Sequence, residues 1–453
     1  MMEEFTYYGK RTVLPNKPIE AGKKIALSSL DLVMEKHHIQ MVYYYNIPKG
    51  ALPIGELTNI LRITLAEVMS YFPIVAGRLS RNEKGKWVIK CNDAGLRFVE
   101  AIAKGSVHTW LHDLDHHKQK KLMHWEDWHH IPYYSPTLYV MVTEFEEGGL
   151  AIGLSCSHIL TDPFSATNLI KAMTDKLLKG SISIPPFFHP LPKNNLGFQK
   201  AYNYPKNHLI YHYKTLLEGP SPSKTQKSET IAFQLTHSMV QACINLAHLN
   251  GPTNHRPDSS PFVALAALFW ACISKVKGET NGLIDISLGL DVRSKLGLDR
   301  GYFGNCMIYT KCNGDYVQMD DIPHANKVIG EEIDKVNKEE TIDLIEWLNN
   351  YKSLSPISSL DRGNLVISNL ENVDPYSAVF MEGYEPIRIG YYNVSSGVEK
   401  GKVMVLPSHP SEGKLSRIVM VTLPHHEALK LFEDKLLARF SPSIIMGANK
   451  LCN

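Results

Sequence analysis

Hydrophobic and polar positions alternate in several short stretches of the chain, and such alternation is typical of half-buried β-strands. In the first half of the chain the alternation predicts strands at Met41–Tyr45, Lys86–Lys90, Leu138–Glu144 and Leu150–Ser155. In the second half it predicts strands at Leu283–Leu290, Met307–Lys311, Leu365–Ser368, Lys402–Leu406 and Arg417–Leu423.

Between these strands, apolar residues recur with the period of an α-helix. This pattern predicts helices at Ile54–Ser70, Pro163–Leu178, His237–Leu249, Pro261–Val276 and His425–Phe440. Asp162 is expected to cap the helix that starts at Pro163, because aspartate is a good N-cap and proline is tolerated in the first turn. Strands and helices mix without regular βαβ alternation, so the predicted fold class is α+β.

The middle of the chain has a different composition. Four prolines fall within Ile182–Asn195, and Gly219–Ser228 is rich in proline, serine and lysine. Such segments are poor formers of helices and strands. We therefore predict an N-terminal lobe over residues 1–180, a crossover linker over 181–230 and a C-terminal lobe of similar size over 231–453.

Composition and charge exclude several classes of protein. The 453 residues are 44% hydrophobic and 21% charged, as in an ordinary globular protein. Lysine and arginine total 48 against 46 acidic residues, which gives no basic surface suited to nucleic acid. No transmembrane or secretory segment is evident, and the seven cysteines form no Cys-x-x-Cys pair. We expect a cytoplasmic monomer that binds no nucleic acid and has no disulfide framework.

The first candidate for chemistry is the pair His158 and Asp162, which follows an apolar strand and precedes a helix. A histidine at the end of a buried strand can hold a neutral imidazole and act as a general base. The alternative is a core histidine beside a helix-capping aspartate, and the spacing by itself favours this alternative.

Two other stretches offer weaker candidates. Histidines recur between residues 108 and 130, at 108, 112, 116, 117, 124, 129 and 130. The i, i+4 spacing is compatible with a zinc-dependent hydrolase, but a solvated polar segment is the simpler interpretation. Cys156 lies in Gly153–Ser157, which resembles a nucleophile elbow without its last glycine, and a buried structural cysteine is the commoner case.

Four further stretches occur in an order that resembles the plant BAHD acyltransferases. These are Tyr71–Leu79, Cys91–Gly95 with Phe98–Ala101, Leu290–Arg293, and the Tyr-Phe-Gly-Asn sequence Tyr302–Asn305. His158 and Asp162 lie between the second and third stretches, at the spacing that the family shows. The resemblance therefore raises the catalytic interpretation of His158 above the structural one.

The resemblance implies a chloramphenicol-acetyltransferase-like fold, with two α+β lobes and an active-site channel between them. It implies acyl transfer from an acyl-CoA co-substrate to the hydroxyl or amine of a small acceptor, with no permanently bound cofactor and no metal. His158 would be the general base, and Asp162 would be structural and pair with Arg293. On the channel or coenzyme A side it implies Tyr302, Gly304, Asn305, Gly390 and Tyr391.

The chain also departs from the family pattern near its C-terminus. In place of Asp-Phe-Gly-Trp-Gly it has Glu385–Tyr392, where only Gly390 can be aligned, with Tyr391 in place of the tryptophan. Ser368-Asn369-Leu370 stands where the family has Ser/Thr-x-Trp, and Pro163 replaces a glycine after Asp162. Loss of the C-terminal motif beside an intact histidine motif resembles the Eceriferum/Glossy branch of wax-biosynthesis proteins.

Further stretches resemble this branch, namely Leu30–Met34, Gly153-Leu154-Ser155 with His158-Ile159-Leu160, Gly278–Asn281, and Lys402–Pro407 with Arg417-Ile418-Val419. The branch resemblance implies an alternative function: a non-catalytic accessory of the fatty-acid elongase that promotes very-long-chain acyl-CoA extension. Its partner would be the condensing enzyme, and the protein would associate peripherally with the endoplasmic reticulum. In that role the histidine would not be needed.

Overall fold

The computed structural model describes residues 4–20, 22–193, 207–218, 228–248, 260–351, 355–360, 365–395 and 400–447. Strands β1–β8 in this part of the chain are Phe5–Val13, Lys24–Ala26, His37–Tyr45, Arg78–Arg81, Trp87–Lys90, Leu96–Ala103, Leu138–Phe145 and Leu150–Ser157. Strands β9–β16 are Ser228–Leu235, Ile286–Asp291, Met307–Cys312, Leu365–Asn369, Pro386–Ser395, Lys402–Pro407, Arg417–Pro424 and Ser443–Met446.

The helices lie both between and after these strands. Helices α1–α5 are Ser29–Val33, Glu56–Met69, Val107–His112, His116–Lys120 and Pro163–Lys179. Helices α6–α13 are His208–Glu218, His237–Ala247, Pro261–Val276, Arg293–Leu296, Ile322–Lys335, Lys338–Asn350, His425–Phe432 and Lys435–Ala438.

The chain divides into two compact units, and each draws on more than one segment of the sequence. The first unit comprises Met1–Leu191, Leu298–Asn305 and Asp374–Val394, and the second comprises Pro192–Gly297, Cys306–Val373 and Ser395–Asn453. Two short stretches of the predicted C-terminal lobe thus belong to the first unit. The lobe boundaries at residues 180 and 231 stay a prediction.

The first unit contains a six-stranded sheet and a small three-stranded sheet. The strand order is β1-β6-β7-β8-β3-β13 in the large sheet and β2-β5-β4 in the small one. The pair β6–β7 is parallel, whereas β7–β8 and β3–β8 are antiparallel. Every residue of β7 and β8 is buried, so these central strands form much of the core of the unit.

The second unit is built on a seven-stranded sheet in the order β11-β10-β12-β14-β15-β9-β16. The contacts β10–β12 and β12–β14 are parallel and the other documented pairs are antiparallel. Helix α8 packs against α7 and α10 and is buried over nearly its whole length. This mixture of parallel and antiparallel strands with helices confirms the predicted α+β class.

Most of the predicted elements are present, with shifted ends. The strand predicted at Leu283–Leu290 begins later, at Ile286. The predicted helix His425–Phe440 is wrong as one element, because it divides into α12 and α13. Asp434 caps α13 by accepting a hydrogen bond from the Leu437 N–H at 2.8 Å, so a new helix starts there.

The linker predicted over residues 181–230 contains an unpredicted helix, α6. Leu209, Ile210, Tyr213 and Leu216 are buried on it, and α6 packs against β11 and α11 within the second unit. Ser228, the last residue of the Pro/Ser/Lys-rich stretch, begins β9. The remainder of that stretch, 219–227, lies outside the described residues, as do 194–206. None of the helices in the described ranges has the length and apolar character needed to cross a membrane.

Candidate active site

His158 lies directly after β8, at the position where the chain leaves the sheet. The strand pairs with β3 up to the register of Ser157 with His38. The backbone N–H of His158 then donates to the His37 carbonyl at 2.9 Å. Its own carbonyl accepts from the Asn305 side-chain amide at 2.7 Å. The peptide groups on both sides of His158 are therefore fixed by hydrogen bonds.

The imidazole of His158 is fully buried and is uncharged at neutral pH. Burial lowers its pKa, and this effect is partly opposed by the negative charge of Asp162 and by weaker interactions with Asn305 and Thr161. Neither ring nitrogen makes a hydrogen bond of normal geometry to any residue that the structure describes. A neutral imidazole can accept a proton from a reacting hydroxyl or amine.

Asp162 is the N-cap of α5, as the sequence predicts. Its carboxylate accepts from the Ser165 N–H at 2.9 Å, and Pro163 occupies the first turn. The helix ends at Lys179, and its C-cap Gly180 has the left-handed φ of 73° that favours glycine. Asp162 is fully buried, so the cap is part of the core.

Asn305 contacts His158 within the first unit, and Tyr302 and Gly304 contact Ser165 on α5. The Ser165 hydroxyl lies 3.1 Å from the carbonyl oxygens of both Tyr302 and Gly304, and it accepts from the Gly304 N–H at 3.2 Å. Asn305 binds the His158 carbonyl. The Tyr-Phe-Gly-Asn motif and the histidine motif, far apart in sequence, thus meet around the first turn of α5.

Gly304 has a conformation that a side chain would disturb. Its φ is 152°, and a Cβ at this position would lie 3.2 Å from the ring of Tyr302. The glycine lets the chain pass close to that ring. The assignment of Tyr302 and Gly304 to the coenzyme A side stays a prediction.

Gly390 and Tyr391 are part of strand β13, at the edge of the six-stranded sheet next to β3. The Tyr391 hydroxyl lies 2.7 Å from the hydroxyl of Thr167 on α5 and 3.0 Å from that of Tyr43 on β3. A Cβ on Gly390 would overlap the side-chain amide of Gln119. The residues that replace the family's C-terminal motif therefore form a strand packed inside the first unit.

Arg293 belongs to the second unit, where it begins α9. It is buried, and its guanidinium donates to the Asp291 carboxylate at 2.8 Å. Asp291 and Arg293 are the two charged residues of the Asp-x-Arg motif, so this motif contains its own ion pair. The pairing of Arg293 with Asp162 stays a prediction.

The two weaker candidates acquire simple structural roles. The histidine-rich segment forms α3 and α4, which are separated by Asp113–Asp115, so His108, His112 and His116 do not share one helix. His116 is buried against the Tyr392 ring, and burial lowers its pKa to about 3. The described residues contain no cluster of metal-binding side chains. Burial raises the pKa of the Cys156 thiol, which disfavours the thiolate form that a nucleophile requires.

Sequence reasoning missed three residues that hold the site together. His37 binds the backbone of His158, Ser165 joins α5 to the Tyr302–Asn305 segment, and Asp31 binds Asn305 at 2.8 Å. The Ser28-x-x-Asp31 spacing is a capping-box pattern that could have identified the start of α1. It could not have revealed the contact with Asn305, which is 274 positions away.

Comparisons with known proteins identify the family and the fold of the chain. The family described as "Transferase family" matches residues 4–437. The chain is similar to Protein ECERIFERUM 26-like from Arabidopsis thaliana, with 29% identity over 96% of both chains. It is also similar to hydroxycinnamoyl-CoA:5-hydroxyanthranilate N-hydroxycinnamoyltransferase HHT4 from Avena sativa, with 26% identity over 90% of this chain and 94% of that protein.

Among solved structures, the chain is similar to TRI101 from F. graminearum in complex with ethyl coenzyme A. The TM-score is 0.68 at 13% identity, over 94% of this chain and 100% of that one. This similarity confirms the predicted chloramphenicol-acetyltransferase-like fold. The chain belongs to the Transferase family, that of the BAHD acyltransferases, whose activity is acyl transfer with acyl-CoA as co-substrate.

Proposed function

We propose that this protein is an acyl-CoA-dependent acyltransferase in which His158 is the general base. The observation that carries the proposal is the buried, neutral imidazole of His158. The backbone N–H and carbonyl of His158 are both hydrogen-bonded, whereas its ring nitrogens make no regular hydrogen bond to the residues that the structure describes. Asp162 supports the site by capping α5, which is a structural role.

In the proposed reaction, the oxygen or nitrogen of the acceptor attacks the carbonyl carbon of the thioester. His158 takes the proton of this acceptor hydroxyl or amine during the attack. The carbonyl electrons move onto oxygen to give a tetrahedral intermediate. When the intermediate collapses, the carbon–sulfur bond breaks, and the imidazolium returns the proton to the leaving thiolate of coenzyme A. No acyl-enzyme forms, and no metal or permanently bound cofactor is needed.

The test is release of free coenzyme A thiol from a panel of acyl-CoAs in the presence of alcohol and amine acceptors. We expect His158→Ala to lower kcat by about 10²–10⁴-fold, the usual contribution of a general base. His116→Gln is the matched control, because His116 is also buried with a lowered pKa but packs against Tyr392. If turnover survives in His158→Ala, or if His116→Gln lowers it equally, His158 is not the base.

A second candidate function is the non-catalytic role beside the condensing enzyme of a fatty-acid elongase. It is favoured by the replacement of the family's C-terminal motif with the packed strand Pro386–Ser395, and by the similarity to Protein ECERIFERUM 26-like. In this role the protein would act at the endoplasmic reticulum in plant lipid or wax metabolism. Co-purification of the two proteins from cells that express both would support it, and their separation under mild conditions would count against it.

A further inference from the structure

A buried carboxylate outside the histidine and Tyr-Phe-Gly-Asn motifs is connected to the candidate base. Asp31 lies in the first turn of α1 and is only 4% exposed. Its Oδ2 accepts from the Ser28 N–H at 2.7 Å, and its own N–H donates to the Ser28 hydroxyl at 3.1 Å. These two reciprocal bonds form the capping box of α1. The other carboxylate oxygen, Oδ1, is not needed for the cap.

Asp31 Oδ1 binds Asn305 through two hydrogen bonds. It accepts from the Asn305 backbone N–H at 2.9 Å and from the side-chain Nδ2 at 2.8 Å. The same Nδ2 donates its second hydrogen to the His158 carbonyl at 2.7 Å. Since a carboxylate oxygen and a backbone carbonyl are both acceptors, the amide nitrogen must face them, and the orientation of the Asn305 amide is fixed.

Helix capping accounts for Oδ2 of Asp31 and not for the two hydrogen bonds that Oδ1 accepts. Burial raises the pKa of Asp31, and the N–H groups of Asn305 and Ser28 oppose this shift by binding the charged form. Burying a charged group is unfavourable unless donors surround it. Two of the three N–H donors described above come from Asn305, the residue that binds the carbonyl of His158.

We propose that Asp31 is a positioning residue for His158, acting through Asn305. Asp31 fixes the orientation of the Asn305 side-chain amide, and this amide holds the carbonyl group of His158. The orientation of that peptide group determines the direction in which the imidazole projects from the backbone. The inference rests on the proposed function, because a set direction has a catalytic use only if His158 is the base. A displacement of about 1 Å at a reacting group can lower a rate by about 10²-fold.

The decisive comparison is between Asp31→Ala and Ser28→Ala. Asp31→Ala removes both the cap bond and the connection to Asn305, whereas Ser28→Ala weakens the same cap and leaves that connection in place. With Asp31→Ala we expect kcat to fall about 10–100-fold with little change in KM. Asp31→Asn keeps an amide oxygen that can accept from Asn305, so it should recover most of the loss. Ser28→Ala should retain the kcat of the unmodified protein.

A second readout does not depend on turnover. In 15N-histidine NMR, the ring signals of His158 are identified by their absence from His158→Gln. We expect Asp31→Ala to shift these signals and their titration, and Ser28→Ala to leave both unchanged. If no acyl-CoA is turned over but the shift is seen, the positioning role stands and the proposed function fails. If turnover depends on His158 and Asp31→Ala leaves kcat and the signals unchanged, the positioning role is refuted.

Two further results bear on the inference. If Ser28→Ala reproduces both effects of Asp31→Ala, the helix cap explains them and the connection through Asn305 does not. Should Asp31→Ala fail to fold, Asn305→Ala breaks the same connection from its other end while the capping box remains. Unchanged His158 signals in a folded Asn305→Ala protein would then overturn the inference.

Discussion

Individual buried histidines make the free energy of unfolding of this protein depend on pH. Burial lowers the pKa of His116 to about 3 and that of His212 to about 4, in each case from 6.5, and it also lowers the pKa of His158. Each of these residues therefore binds a proton more readily in the unfolded chain. The stabilisation from keeping them neutral is complete above pH 6.5 and declines as the pH falls below that value.

We predict that the free energy of unfolding falls by about 4 kcal/mol between pH 7 and pH 5 from His116 and His212 together, at about 1.36 kcal/mol per pH unit for each below pH 6.5. Chemical denaturation at several pH values measures this slope. His116→Gln should remove the contribution of one histidine, which is about half of this slope. A slope of zero would contradict the buried neutral state.

Asp162 has one structural role in the fold and a second one that stays a prediction. Its carboxylate caps α5, and the resemblance to the acyltransferase family implies that its charge also pairs with Arg293. Asn at this position keeps an oxygen for the cap but loses the charge. Arg293 retains Asp291 at 2.8 Å, so it would not be left unpaired.

We therefore predict that Asp162→Asn lowers the free energy of unfolding by about 3 kcal/mol, the low end of the cost of breaking a buried pair. Asp162→Ala should cost about 1 kcal/mol more, because the cap is also lost. Denaturant unfolding of both variants and of Arg293→Ala checks these values. If Asp162→Asn and Arg293→Ala are both silent, the predicted pair does not exist.

At the scale of elements, three hydroxyl groups join β3, β13 and α5. Tyr391 lies between Thr167 at 2.7 Å and Tyr43 at 3.0 Å, and all three residues are buried. Thr167 also donates to the Pro163 carbonyl at 2.7 Å. Removal of the Tyr391 hydroxyl thus takes away the hydrogen-bond partner that the structure shows for Tyr43. Thr167 keeps its hydrogen bond to the Pro163 carbonyl.

We predict that Tyr391→Phe lowers the free energy of unfolding by about 1–3 kcal/mol, because a buried hydroxyl is left without a partner. The double variant Tyr43→Phe/Tyr391→Phe should recover part of this loss, since both members of the pair are then apolar. A double-mutant cycle measured by thermal or denaturant unfolding gives the interaction. Strict additivity of the two single changes would show that the hydroxyl pair contributes nothing.

A helix or strand could be predicted from the sequence where one of its faces is strongly buried, because burial produces a regular apolar pattern. Apolar alternation located β7 and β8, and the Asp162-Pro163 signal located the start of α5. Strand β1 was missed because six of its nine residues are exposed, so an edge strand leaves little apolar pattern. Strand β13 was missed because its central residues are buried without strict alternation. The position of His158 after β8 followed from local sequence, but its bonds to His37 and Asn305 connect distant segments, which periodicity cannot reveal.

At the scale of the whole molecule, the chain keeps the histidine motif and the Tyr302–Asn305 sequence and departs from the family pattern near its C-terminus. His158, Asp162 and Tyr302–Asn305 form one hydrogen-bonded arrangement in the first unit. The family's tryptophan-containing motifs are absent from Ser368–Leu370 and Glu385–Tyr392. An indole N–H that could stabilise a developing oxyanion is therefore missing at the first of these positions.

This combination predicts a weak or narrow transferase. Losing one oxyanion donor lowers rates by about 10²–10³-fold in an enzyme where it was measured. We expect turnover well below the ordinary range of about 1–10³ per second, and we expect this residual turnover to disappear in His158→Ala. Turnover of many acyl-CoAs and alcohols at ordinary rates would contradict a weakened site.

The acyl-chain profile of cells that express an elongase condensing enzyme separates the two roles. Co-expression of the unmodified protein should shift the profile toward longer acyl chains, and His158→Ala should shift it equally if docking, rather than acyl transfer, is what changes the product. Asp162→Asn is a useful companion, because it perturbs the fold near the site and keeps the imidazole. If His158→Ala abolishes the shift while remaining folded, the elongation effect depends on the base, and the non-catalytic role is wrong. If neither protein shifts the profile although the unmodified one releases thiol, the molecule is a transferase without the accessory role.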